Sequence, residues 1–120
     1  LDGVDLSPLL AEGNADWPER ALCWHYPHYP RQGSRPAGAI RLGRHKLIEH
    51  FEDGRVELFD LIADPGERRD LAREKSKLAT DLRNQLHRWR KEVGAQMPTP
   101  NPDHDPDRPF RDAYWMPNKP

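Results

Sequence analysis

Between residues 20 and 61 apolar and polar positions come in short runs with a period near two. RALCW (20–24) is apolar and ends on an aromatic residue, and AGAIRL (37–42) follows a proline-rich interruption. In HKLIEHF (45–51), Leu47 and Phe51 fall on one face, while Ile48 shares the other with Lys46 and His50. In RVELFDL (55–61), Val56 and Leu58 fall together. Gly43-Arg44 separates the second run from the third, and Asp53-Gly54 separates the third from the fourth. Asp-Gly between alternating runs is a hairpin signal, because glycine accepts the positive φ of a tight turn. Residues 37–61 therefore predict an antiparallel meander.

After the turn DPGE (64–67) the period changes. Leu78, Leu82, Leu86, Trp89 and Val93 follow at steps of four, four, three and four, which predicts one helix with a single apolar stripe. Gly94 is placed to end it. At the other end, LDGVDLSPLLAEG predicts a short helical turn, with Ser7 as cap, Pro8 at the first helical position and Gly13 as terminator. NADWPER reads as a loop. Beyond Gln96, MPTPNPDHDPDRPF has proline too often for helix or central strand. The expected division is a folded unit over 1–96 and a proline-rich extended tail over 97–120.

The fold class is α+β, a small antiparallel sheet of about four strands with one long C-terminal helix packed on it. One helix covers one face. Ile40, Leu42, Ile48 and the aromatic residues supply more apolar surface than it hides, so the second face is expected to dock on a further domain. The alternative is a solvated second face, common in antiparallel sheets.

Composition sharpens this. The chain has 120 residues, 35% of them hydrophobic, with 13 prolines in two clusters, a thin supply for a private core. A net charge of −1, with interspersed signs, offers no broad basic field for nucleic acid. No apolar run reaches membrane-spanning length, and no signal peptide is visible in these residues. The start Leu1-Asp2-Gly3, without methionine, reads as a piece of something longer. Cys23 is a single cysteine, which rules out an internal disulfide framework and a cysteine-based zinc cluster.

The candidate chemistry centres on CWHYPHYP (23–30). His25 and His28 have a metal-like spacing, but Pro27 and Pro30 hold the backbone extended and no third ligand is near in sequence. His45, His50 and Asp103 could join only through folding. Cys23 and His25, two apart on a strand, point the same way, yet a cysteine in an apolar run is usually a small buried hydrophobe. Asp103, Asp105 and Asp107 alternate like calcium ligands but lack the glycine and closing glutamate of an EF-hand. Glu49, Glu52, Asp53 and Glu57 read as charged hairpin edges. A binding role remains. Tyrosine and tryptophan stack on sugars, prolines reduce the entropy lost in presenting them, and His25, His28, Arg31, Arg35 and Arg41 could meet hydroxyls or anions. Equally, Trp24 and Tyr26 could be interface core.

In combination, LDGVDLSPLL, RALCWHYPHY, GAIRLGRHKLIEHFEDGRVELFDLIADPGERRDLA and LHRWRKEV resemble the C-terminal subdomain of type I, arylsulfatase-like sulfatases, including bacterial enzymes akin to N-acetylgalactosamine-6-sulfatase. The resemblance runs from residue 1 to about 106. It implies an alkaline-phosphatase-like parent that hydrolyses sulfate esters of carbohydrates, with calcium and formylglycine held in an N-terminal catalytic domain. The formylglycine motif is Cys-x-Pro/Ala-x-Arg or its serine counterpart, and Cys23-Trp-His-Tyr-Pro does not fit it. No catalytic residue, metal ligand or cofactor is therefore expected here. The expected partners are the catalytic domain and a sulfated sugar, without nucleic acid or membrane. Because bacterial members are commonly exported, a periplasmic or secreted location follows from the resemblance. The loop before GAIRLG would reach the substrate rim, with His25 and His28 as the foremost binding candidates and Tyr26 and Tyr29 next. The rival reading is a free-standing, non-catalytic carbohydrate-binding or interaction module.

Overall fold

The alternating runs pair in sequence order. A computed structural model describes residues 3–12, 19–29 and 34–102. It contains α1 (Ser7–Glu12), β1 (Leu22–Tyr26), β2 (Ala37–Leu42), β3 (His45–His50), β4 (Val56–Asp60) and α2 (Ser76–Glu92). The strands form one antiparallel sheet in the order β1-β2-β3-β4. Gly43 opens the β2–β3 turn with φ +54, and Gly54 has φ +69 in the β3–β4 turn, a conformation that L side chains avoid. Asp53 supports that second turn by accepting the Arg55 N–H at 2.9 Å.

Residues paired across an antiparallel sheet share a face. One row runs Cys23, Ile40, Leu47, Leu58, and the next runs His25, Gly38, Glu49, Val56. These rows face α2. The buried core is Ile40, Leu47, Leu58, Leu71, Ala79, Leu82 and Leu86. The outer edge of β4 is tied off rather than open. The Leu58 N–H donates to Asp70 Oδ1, and the Leu71 N–H donates to the Leu58 carbonyl.

The helix lies rotated from the stripe that its leucines mark. Ala79, Leu82, Leu86 and Arg90 are its buried positions, and Leu78 and Trp89 are half-buried; Val93, the C-cap residue past the last turn, is 53% exposed because the helix has ended there. Glu49 meets the helix on that side. It sits on the inward face of β3 between Leu47 and Phe51, buried, and is not an edge charge. It accepts hydrogen bonds from Arg83 Nε at 2.7 Å, from His87 Nε2 at 2.9 and 3.0 Å, and from the buried Arg90 guanidinium. Arg83, His87 and Arg90 are four and three apart, one helical face. Burial pushes the Glu49 carboxyl up, but these three donors and the Arg90 charge more than offset it, so its pKa is lowered. Arg90 also lies over the Phe51 ring, 5.2 Å from its centroid.

Gly94 ends α2 as expected, with φ +63. The Ala95 N–H returns to the Arg90 carbonyl and the Gly94 N–H to the Lys91 carbonyl, a Schellman closure. At α1 the cap differs from expectation. Asp5 accepts both the Ser7 N–H and the Ser7 hydroxyl, so the serine is a donor and the aspartate does the capping. Gly13 and residues 14–18 of the NADWPER loop lie outside the described residues. No described helix is long and apolar enough to cross a membrane.

Candidate functional site

β1 sorts the aromatic segment onto two faces. Trp24 and Tyr26 point away from α2 and are 51% and 49% exposed. Across the sheet Trp24 pairs with Ala39 and Tyr26 with Ala37, and small partners leave both rings uncovered. Ile48, opposite Ala39, continues this open face as a half-buried residue. Cys23 and His25 point toward the helix.

His25 is thereby tied inward. Its Nε2 lies 2.7 Å from the Gln96 carbonyl, which can only accept, so the ring donates there. Its Nδ1 is buried without a hydrogen-bond partner. Its ring is 5.2 Å from that of Phe51. His28 is exposed and meets Tyr26 edge-on, with centroids 5.5 Å apart. The Tyr29 hydroxyl donates to Glu52 at 2.7 Å, and Arg35 pairs with the same carboxylate at 3.2 Å. The bond to Glu52 raises the Tyr29 pKa. Of the four residues singled out in the sequence, Tyr26 and His28 touch each other, and His25 and Tyr29 are each anchored to other parts of the chain. Arg41 donates to the Gly43 carbonyl at 3.3 Å, and Arg31 lies outside the described residues.

Among the described residues, no base is set to activate Cys23 as a nucleophile. Cys23 shares the face of His25, as strand alternation requires, but packs against the core. Burial pushes its thiol up, with the Arg90 charge pulling weakly the other way, and this disfavours the thiolate. No group of three or more His, Cys, Asp or Glu side chains among the described residues is arranged to hold a metal ion. His45 lies 3.3 Å from the Lys75 amine, and His50 bonds Glu57 at 2.7 Å. Asp103, Asp105 and Asp107 fall outside the described residues.

The residues that sequence reading missed are Phe51 and Glu52, which open the β3–β4 turn. They contact His25 and Tyr29 from 23 or more positions away. Only the β1–β2 and β2–β3 pairings together bring them there, so no local spacing announces them. Gly38 belongs to the same arrangement. A Cβ on it would lie 3.2 Å from the Phe51 ring and 3.3 Å from the Trp24 carbonyl.

Comparison with known proteins gives this arrangement a context. The family model described as N-sulphoglucosamine sulphohydrolase, C-terminal, matches residues 1–92. No curated protein matches the sequence. Among solved structures, BT4656 in complex with its substrate D-glucosamine-2-N,6-O-disulfate is 30% identical, with a TM-score of 0.60 over 77% of this chain. A candidate sulfatase from Bacteroides thetaiotaomicron VPI-5482 is 22% identical, with a TM-score of 0.66 over 84% of this chain, and supports the fold. This chain spans only 20% and 23% of those two structures. The family match takes in both helices and all four strands, and the chain belongs to the family of N-sulphoglucosamine sulphohydrolase C-terminal regions.

Proposed function

We propose that these residues complete a sulfatase that hydrolyses sulfate groups on a sulfated amino sugar. The observation that carries this reading is the family match over residues 1–92. The sugar class is supported by the relative solved with a glucosamine disulfate. In the whole enzyme, calcium and formylglycine would be supplied by a catalytic domain outside this chain, and no residue here is assigned to them.

Two contributions fall to these residues. The open sheet face, with Trp24 and Ile48 above Ala39, docks on the catalytic domain. Its exposed tryptophan is the kind of large apolar surface that water leaves costly until a partner covers it. The segment at the end of β1 forms part of the substrate rim. Tyr26 offers a ring face to the sugar, and His28 beside it offers a donor to a hydroxyl or anionic group. His25 and Tyr29 contribute to the rim from their anchored positions.

Mass spectrometry of the protein from its natural source tests the reading, intact and as peptides. A chain several times longer, with formylglycine upstream and sulfate release from glucosamine sulfates, is the expected result. A native chain of these residues alone, without sulfatase activity, overturns it and leaves glycan binding by an independent module as the next question.

A further inference from the structure

The two ends of the segment from His25 to Tyr29 are held by neighbouring residues of one turn. Phe51 meets the His25 ring at 5.2 Å, and Glu52 accepts the Tyr29 hydroxyl at 2.7 Å. Neither anchor is loose. Phe51 packs over Gly38, where a methyl would crowd its ring, and carries the Arg90 guanidinium at 5.2 Å on its other contact. Arg90 is in turn locked onto the buried Glu49. Glu52 is steadied by Arg35, which lies on the far side of the segment in sequence. The His25 ring is further bonded to Gln96, just beyond α2. Between the anchors stand Tyr26 and His28, exposed and in mutual edge-on contact, with Pro27 fixing the backbone between them.

We infer that Phe51 and Glu52 are positioning residues for substrate, a two-point clamp that holds the HYPHY segment so that Tyr26 and His28 face the sugar. The inference rests on the rim reading above. A preorganised pair loses less side-chain and loop entropy on binding than a free loop would, so the benefit falls on substrate affinity. Phe51 and Glu52 need not touch the ligand. They act through His25 and Tyr29.

The test uses the full-length enzyme that carries this segment, with kinetics on a sulfated glucosamine and hydrogen exchange over residues 23–29. The variants are Tyr29→Phe, Glu52→Ala, Glu52→Gln, Tyr26→Ala and His28→Ala. Tyr29→Phe and Glu52→Ala are expected to raise KM roughly threefold to tenfold with kcat within about twofold, and to speed exchange in the segment. Glu52→Gln keeps an acceptor for the tyrosine hydroxyl and is expected to recover most of both effects. A merely structural role would lower the melting temperature without this split or this rescue. If Tyr26→Ala and His28→Ala raise KM while Tyr29→Phe and Glu52→Ala leave both KM and exchange at the parent values, the clamp is overturned and the rim stands. If Tyr26→Ala and His28→Ala leave KM unchanged, the rim reading falls and the positioning role falls with it, whatever the exchange shows.

Discussion

The carboxylate of Glu49 on β3 and the guanidinium of Arg90 on α2 form a direct ion pair in the buried layer between sheet and helix. Removing one partner of a buried pair leaves the other charge without compensation, at a cost of about 3–5 kcal/mol. Glu49→Ala is therefore expected to lower the urea midpoint sharply, and Glu49→Gln by less, because its amide oxygen still accepts. A midpoint for Glu49→Ala within error of the parent would contradict this account of the pair. Since folding lowers the Glu49 pKa below its ordinary 4.5, its contribution is present above that value and is lost as pH falls through the folded pKa.

Asp60 supplies a second acid-sensitive contact. Arg44 reaches both its oxygens, at 2.8 and 2.6 Å, and the N–H groups of Ile62 and Ala63 donate to it at 3.2 Å. The Arg44 bond, opposed by partial desolvation and helped by the two backbone donors, lowers its pKa from 3.8 to about 2. A lowered carboxylate pKa stabilises the fold above the unfolded value and loses that effect on acidification. Unfolding midpoints measured between pH 4 and pH 2 are expected to fall in the parent and to flatten over this window in Asp60→Asn. An equally steep fall in the variant would assign the acid sensitivity elsewhere.

Gly38 tests the packing beneath the aromatic segment. A Cβ there would sit 3.2 Å from the Phe51 ring and 3.3 Å from the Trp24 carbonyl, and a backbone carbonyl in a sheet has little room to yield. Overpacking of this kind costs about 1–3 kcal/mol. Gly38→Ala should therefore lower the melting temperature despite alanine's better strand behaviour. A variant as stable as the parent would mean that the Phe51 ring moves aside freely.

Leu86 and Val93 belong to one apolar stripe in the sequence but not in the fold. Leu86 is fully buried, and Leu86→Ala should cost about 3–5 kcal/mol through lost contacts and a residual cavity. Val93 is half-exposed, so Val93→Ser should stay within about 0.5 kcal/mol of the parent. Equal losses at the two positions would restore the stripe reading.

That contrast marks what the sequence could reveal. β2 spans 37–42, the bounds of the AGAIRL run, the glycines at 43, 54 and 94 all take positive φ, and the helix begins and ends near its periodic leucines. These follow from local rules of period and backbone sterics. The rotation of α2 does not, because a charge on the inward face of a strand is settled by its partners on another element. A signal existed nonetheless. Glu49 lies at an inward position between Leu47 and Phe51, and Arg83, His87 and Arg90 have the spacing of one helical face. The rim candidates were legible as residues, and their division between anchored and presented side chains was not. That division depends on Phe51 and Glu52, which only strand pairing brings to them.

The strand order carries a kinetic consequence. Each strand hydrogen-bonds to the one next to it in the chain, so no pairing has to wait for a distant segment to diffuse into place. The loop-closure entropy of each step is small, and low contact order of this kind goes with fast folding. The long-range part is the arrival of α2, whose Arg83, His87 and Arg90 meet Glu49 from 34 to 41 positions away. The meander is thus expected to form early and the charged latch to close late, so that losing Glu49 speeds unfolding more than it slows folding.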